Sequence, residues 1–374
     1  MIFFFFVFLF HSLVNAYIFH KGWKALPVSR PIRIIYSLLF FVFYSSFIIA
    51  MIGRNVLPLE VQKILYFPGT SWFGFMLYLT FFFLITDLIY LLNRFWHFIP
   101  KTISRQLFYR IQVISGYLIV AIILSIGHYN FKHPVIVEKE IIIPKNGNKY
   151  TELKVAAVSD IHLGVAIDKA KLKRYVQLIN EQNPDIIIIA GDMIDNNPYP
   201  LHKEKMYEEI NQLNAPLGVY FCLGNHEYIS GMEDGMDFLR KTNMTLVVDS
   251  AALVDDSFWI IGRDDKQGNP NRKALAELVA ETNTNQPLIL LDHEPYFLEE
   301  AVENGIDIQF SGHTHGGQLW PVTLIVKSIF EIGHGYKKKE NTHVYVSSGL
   351  ALWGPQVRIG TQSEIVILNI RFEE

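Results

Sequence analysis

Thiols are nearly absent from this chain. Its 374 residues include one cysteine, Cys222, so an intrachain disulfide and a site built from several thiolates are both excluded. The apolar run VYFCL around it marks Cys222 as a small buried residue. A basic surface is also missing. Lys and Arg number 33 against 36 Asp and Glu, the net charge is −3 and no basic stripe stands out. A nucleic-acid partner is therefore not expected. There is no internal repeat and no low-complexity tail. What is abundant is apolar: hydrophobic residues make up 50% and Phe occurs 28 times, more than a soluble enzyme uses. The excess is concentrated at the start, which divides the chain into an apolar part, residues 1–130, and a globular part, residues 134–374.

The apolar part has four segments, 2–19, 34–52, 72–92 and 111–126, each near the ~20 residues that cross a bilayer as a helix. They predict a four-helix transmembrane region. The first has no basic residue ahead of it and is followed by further spans, so it reads as a retained helix and not as a signal peptide. His11, Ser12 and Asn15 make it the most polar of the four. Asp87 lies within the third segment, either facing partners such as Tyr36 or Tyr44 or serving a function. Trp23, Trp72 and Trp96 sit near segment ends, as interfacial anchors do. The first loop holds Lys21, Lys24, Arg30 and Arg33, and the third holds Arg94, Lys101, Arg105 and Arg110. The second holds only Arg54 and Lys63. The positive-inside rule then places the globular part outside the cytoplasm, although Lys132, Lys139, Lys145 and Lys149 pull the other way.

The globular part alternates strand-like and helix-like stretches, an α/β pattern with extra strands at both ends. Val135–Ile143 and Lys149–Ser159 flank Lys145-Asn146-Gly147-Asn148, which predicts a hairpin. A helix is expected over 168–182 with Asp168 as its N-cap, and another over 201–213.

Between Val158 and His315 lie five short clusters of metal-type side chains. They are Asp160 and His162 in SDIH, Asp192 in AGDMID, Asn225 and His226 in GNHE, His293 in LLDHEP, and His313 with His315 in SGHTHGG. Four of them end an apolar run that reads as a buried strand, and the fifth follows IDIQF. Ligands at the carboxyl ends of neighbouring strands converge on one edge of a sheet, where open α/β folds build their sites. Carboxylate oxygen, imidazole nitrogen and amide oxygen suit Mn, Fe, Zn or Mg. Two such cations about 3.5–4 Å apart clamp a phosphoryl group for in-line attack. Asp192, in the middle of the set, is the natural carboxylate to share between them. His226 follows directly on Asn225, so it can sit over the site as a general acid without being a ligand. Asp195 can orient that imidazole, or merely cap the next segment. His293 alone would read as a hydrogen-bonded core histidine; within the ordered set it reads as a ligand.

These blocks, D-x-H, G-D-x-x-D, G-N-H-E, a lone His and G-H-x-H in that order, resemble the calcineurin-like metallophosphoesterase superfamily over residues 150–372. The resemblance implies a two-layer β-sandwich core flanked by helices, with one site for two divalent metal ions. Carried over by position, Asp160, His162, Asp192 and His315 would hold one ion. Asp192, Asn225, His293 and His313 would hold the other, with His226 as the acid. The block GHTHGGQLWP and the tail SSGLALWGPQVRIGTQSEIVIL also resemble a bacterial membrane-associated branch, transmembrane proteins with a metallophosphoesterase domain. Some of its members hydrolyse phosphodiesters, and relatives cleave the pyrophosphate of a UDP-diacylglucosamine precursor in lipid A synthesis. The function this implies is a membrane-anchored phosphoesterase acting on a phosphodiester or pyrophosphate, of a lipid, in a bacterial cell membrane. A UDP-diacylglucosamine hydrolase is the narrower alternative, and it conflicts with an extracytoplasmic domain, because such precursors are made in the cytoplasm. A metal-binding, membrane-anchored regulatory protein is the non-enzyme alternative.

Arg263 and Arg358 are the candidates for contact with a substrate anion, the other reading being packing salt bridges. Glu227 is expected behind the ligands, and His334 and His343 in loops. Leu319–Phe330 is unusually apolar for a stretch following a metal block. It either packs on the core or dips into the bilayer interface.

Overall fold

A computed structural model describes residues 2–147 and 149–373. The chain forms two compact units, Met1–Tyr129 with Gly354–Val357, and Asn130–Trp353 with Arg358–Glu374.

The first unit is built of helices α1 (Ile2–Ala25), α2 (Arg30–Ile52), α3 (Leu59–Trp96) and α4 (Arg105–Lys132). Among the described residues three of them, α2, α3 and α4, are long and apolar enough to cross a membrane, not the four expected. Helix α1 carries His11, Ser12, Asn15, His20 and Lys21 among its apolar residues. Helix α3 is far longer than the 72–92 stretch expected. It runs unbroken through Pro68 and Gly69, residues that read as punctuation in a sequence. A Cβ on Gly69 would lie 2.5 Å from the backbone nitrogen of Phe47, so the missing side chain is what lets α2 and α3 approach closely. Asp87 faces neither Tyr36 nor Tyr44. It pairs with Lys21 and accepts from Tyr17 Oη at 2.8 Å and Gln112 Nε2 at 3.0 Å.

The second unit is a sandwich of two six-stranded sheets. In chain order it comprises β1 (Val135–Ile143), β2 (Glu152–Val158), α5 (Lys169–Asn180), β3 (Ile186–Ala190), α6 (Tyr199–Lys203), α7 (Tyr207–Ile210), β4 (Val219–Cys222), α8 (Asn225–Ser230) and α9 (Met232–Leu239). Then follow β5 (Thr245–Leu246), β6 (Ser250–Val254), β7 (Phe258–Gly262), α10 (Leu275–Ala280), β8 (Leu288–Leu291), α11 (Glu299–Glu303) and β9 (Ile308–Ser311). It closes with α12 (Val322–Ile329), β10 (Gly335–Lys339), β11 (Thr342–Val346) and β12 (Glu364–Phe372). One sheet has the order β1-β12-β2-β3-β4-β5 and the other β10-β11-β9-β8-β7-β6. Their apposed faces bury Val155, Ile188, Cys222, Ile260, Ile289, Phe310 and Leu368 in one core. The runs IIIIA and LILL are buried along their whole length, as parallel strands covered on both faces must be.

Local expectations fare unevenly. Asp168 caps α5, its Oδ1 accepting from Lys171 N at 3.0 Å. The single helix expected over 201–213 is two short ones, α6 and α7. The hairpin expected between β1 and β2 does not form. Both arms are strands, but β12 lies between them, parallel to β1 and antiparallel to β2. The carboxyl-terminal strand supplies nine paired residues to β1, a larger gain than a local turn offers. Asn148, the last residue of the expected turn, lies outside the described residues.

Candidate metal centre

The five blocks converge, but not on the edge of one sheet. Asp160 and His162 follow β2, Asp192 follows β3, and Asn225 with His226 opens α8 just beyond β4, all from the first sheet. His293 follows β8, and His313 with His315 follows β9, from the second. These strands are parallel within each sheet, so the carboxyl ends of both layers meet at the same end of the sandwich. The turns there are tight. Asp160, His162, Asp192, His313 and His315 all have positive φ, between 49° and 70°. Side chains rarely adopt that region without a surrounding structure that enforces it. At Gly312 an added Cβ would collide with the Asp160 carboxylate, so only glycine lets the GHTHG loop lie over that ligand.

Three groups of donors come together. Asp160, His162 and His315 form one, Asp160, Asp192 and His293 a second, and His162, Asp195 and His226 a third. In the first, His162 Nε2 and His315 Nε2 are 3.1 Å apart, and Asp160 Oδ1 is 3.4 Å from His315 Nε2. Asp192 Oδ2 stands 3.7 Å from His162 Nε2 and 3.2 Å from His293 Nε2, so this one carboxylate touches both the first and the second group. Asp160 is likewise common to two of the groups. Asn225 Oδ1 accepts from His313 Nδ1 at 3.0 Å.

Whether this set fits a cation is decided by its unsatisfied atoms. Buried polar atoms in folded proteins almost always have partners. Here His293 Nε2, His162 Nδ1, His315 Nδ1 and Asp195 Oδ1 are buried without a hydrogen-bond partner. His293 Nδ1 donates to the carbonyl of Ala190 at 2.8 Å. That bond fixes the tautomer and leaves the Nε2 lone pair aimed at a carboxylate oxygen, which also has only lone pairs. His162 Nε2 and His315 Nε2 face each other across one hydrogen bond, and the Nδ1 atoms of both rings stay unpartnered. A proton or a cation must stand between such donors. The titration behaviour agrees. Against burial, Asp160 and Asp195 push the His162 ring up to about 10. Burial would raise the Asp160 carboxyl, yet His315, His162 and His293 hold it well below the usual range. Burial and the neighbouring His293 lower His313 to about 4. Concentrated negative charge seeks positive charge, and the oxygen and nitrogen donors match a hard to borderline divalent ion.

His226 lies beside these groups. Its Nδ1 donates to the main-chain carbonyl of Asp195 at 2.7 Å, with the Asp195 carboxylate 3.6 Å away. Asp195 thus reaches the ring mainly through its backbone. The His226 ring meets that of His162 edge-on, 4.5 Å between centres. Behind both, Glu227 accepts from the backbone nitrogens of Asp192 at 3.0 Å, Ile194 at 2.9 Å and Gly224 at 2.7 Å. It ties the Asp192 loop to the start of α8 and forms no salt bridge among the described residues. Burial, with the Asp192 carboxylate, pushes Glu227 up to about 7.

The two arginines expected to meet a substrate anion are otherwise engaged. Arg263 is buried between Glu300 at 2.6 Å and Asp292 at 3.3 Å, and Asp292 also holds Arg272 at 2.9 Å. Arg358 is wholly buried. Its Nη2 donates to the carbonyls of Ser348 at 2.6 Å and Gly349 at 3.1 Å and to that of Ala351, and its Nη1 to that of His315 at 3.4 Å. Burial brings its guanidinium down to about 10. This fork matches a loop of carbonyls. That loop in turn holds Asp160, because Ala351 N donates to Asp160 O at 3.0 Å. Arg358 therefore braces two candidate ligands from behind. Its signal in the sequence was a lone arginine, indistinguishable from a phosphate contact. His334 pairs with Glu364 at 3.1 Å, and His343 is a buried strand residue of β11 bonded to Tyr336 Oη at 2.8 Å, not a loop residue.

Comparison with known proteins adds the family. The model of the calcineurin-like phosphoesterase family matches residues 153–317. An uncharacterized metallophosphoesterase of Campylobacter jejuni is 33% identical over 99% of this chain and 98% of its own length. A transmembrane protein with metallophosphoesterase domain from Danio rerio is 32% identical over 70% of this chain and 63% of its own. An uncharacterized metallophosphoesterase of Aquifex aeolicus is 31% identical over 68% of this chain and 98% of its own. With a third of its residues shared along almost the entire chain, and with the ordered blocks gathered at one end of a β-sandwich, the protein belongs to the calcineurin-like metallophosphoesterase family.

Proposed function

We propose that the chain is a membrane-anchored phosphoesterase that hydrolyses a phosphodiester or pyrophosphate of a lipid with two divalent ions. The observation that carries this reading is the inward convergence of buried, unpartnered donors from both sheets, His293 Nε2 foremost. In it, Asp160, His162, Asp192 and His315 hold one ion, and Asp192, Asn225, His293 and His313 hold the other. When bound, such ions neutralise phosphoryl oxygens and make water nucleophilic near neutral pH.

The protein's own residues handle the proton. His226 keeps Nδ1 committed to the Asp195 carbonyl, so Nε2 is the atom free to exchange a proton. As an imidazolium it protonates the leaving oxygen, and the Asp195 carbonyl and carboxylate stabilise that charge. Glu227 and Arg358 hold the ligand loops in register. The spans anchor the enzyme near a lipid substrate, and the Lys and Arg distribution supports an extracytoplasmic catalytic domain.

The test is hydrolysis of a chromogenic diester and its monoester by the full chain in detergent, loaded with Mn²⁺, beside Asp192→Asn. Metal-dependent hydrolysis by the parent and none by the variant is the expected result. A folded parent that binds no metal overturns the reading. A reporter fused after Glu374, active only outside the cytoplasm, tests the orientation.

A further inference from the structure

Helix α12 follows the GHTHGGQLWP block directly and is pinned to it. Gly317, at φ 86°, approaches so closely that a Cβ would sit 2.6 Å from Thr323 Cα. Thr314 Oγ1 donates to the Gly333 carbonyl at 2.6 Å, on the far side of the helix. Phe330, at the helix end, lies 6.2 Å from the His313 ring, centre to centre. The inner side of α12 is thus part of the wall of the candidate metal centre.

Its outer side is apolar and bare. Leu324 is 56% exposed, Ile325 55% and Ile329 59%, and Val322 and Trp320 are also exposed. At 100° per residue, Leu324, Ser328, Ile325, Ile329 and Val322 follow one another around that arc, with Lys327 at its edge. The one hydroxyl in the arc, Ser328 Oγ, donates to the Ile325 carbonyl of its own helix at 2.7 Å, so it carries no unmet demand for water. The backbone bonds made within the helix and the satisfied Ser328 hydroxyl lower the cost of bringing this face into lipid. A tryptophan at the head, a bulky aliphatic face and a lysine at the margin are the composition of a helix lying in a bilayer interface.

The bilayer is also the surface at hand. Helix α4, one of the three long apolar helices, ends at Lys132, and β1 begins at Val135. Only His133 and Pro134 separate the two, which leaves the sandwich tethered within a few residues' reach of any membrane that α4 crosses. Resting on the phosphoesterase reading above, we propose that the outer face of α12 inserts into the bilayer interface and admits acyl chains while the phosphoester reaches the metal centre. The substrate class is then a membrane-resident lipid phosphoester, taken from the bilayer and not from solution.

The full chain, reconstituted in vesicles of phosphatidylethanolamine and phosphatidylglycerol, provides a test that does not depend on turnover. Cys222 is buried, so Ile325→Cys can carry an environment-sensitive fluorophore, with Lys241→Cys in the exposed turn after α9 as the control. Brominated lipid should quench the label at 325 and leave that at 241 unaffected. Equal, weak quenching at both sites overturns the proposal even in a fully active enzyme. A second readout is the ratio of turnover on a phospholipid in vesicles to turnover on a soluble diester by the same protein. Leu324→Ser with Ile325→Ser should lower that ratio about tenfold, the scale set by burying large aliphatic side chains. An unchanged ratio also overturns it. Quenching at 325 in a chain without any phosphoesterase activity would instead retain membrane insertion and reject the catalytic reading.

Discussion

Two polar clusters in this molecule, one half-buried and one buried, invite opposite conclusions. In the helical unit, Lys21, Asp87, Tyr17 and Gln112 form a closed set in which the carboxylate has three protein partners. In the sandwich, His293 Nε2, His162 Nδ1, His315 Nδ1 and Asp195 Oδ1 are buried with none. A set that satisfies itself holds helices together, because losing one member strands the others. A set that leaves ligand atoms aimed at each other is shaped for something with positive charge. The type of residue does not separate these cases, since both contain a carboxylate beside a cation or imidazole. Satisfaction does.

The sharpest way to break the comparison is Asp192→Asn. If the open cluster is a metal centre, this variant should lose bound metal to background by elemental analysis and lose all measurable phosphoesterase activity. Retained metal would put the bridge elsewhere, and Asp160, common to two donor groups, is the first candidate. Next in size is His226→Ala, which should cost ~10²–10⁴-fold in kcat with metal content unchanged. Full activity in this variant would remove His226 from the acid role. Smaller again is Arg358→Lys. A lysine cannot fork onto several carbonyls, so metal affinity should fall ~10–100-fold while kcat at saturating metal stays near the parent value. A loss of kcat alone, without weaker metal binding, would return Arg358 to substrate contact. The smallest effect belongs to the closed cluster. Asp87→Asn should lower Tm by about 2–4 °C per kcal/mol lost and leave metal content untouched.

The same contrast explains which expectations stood. The order of the ligand blocks was legible because each ends an apolar strand, and residue types such as Asp, His and Asn carry their donor chemistry wherever the chain places them. Asp168 as an N-cap was legible because capping is local. Arg263 and Arg358 were not. An arginine offers the same donors to a phosphate, a carboxylate or a row of carbonyls, and only the neighbours brought by folding choose among them. Glu227 was expected behind the ligands, but which loops it ties together, those of Asp192 and Gly224, showed only once folding brought them side by side. Asp87 found Tyr17, Lys21 and Gln112 on two other helices, partners that no spacing along α3 could indicate.

By itself, then, the sequence determined the division into an apolar and an α/β part, the alternation of strands and helices, and the set of donors, because hydrophobic pattern and ligand chemistry are properties of residues and short runs. Tertiary structure alone decided that β12 enters between β1 and β2, that the site is shared by two sheets, that α3 runs on through Pro68, and that α12 turns its aliphatic face outward. Each of these depends on pairings between residues distant in the chain, where the free energy of contact is set by what lies opposite and not by what lies next in line.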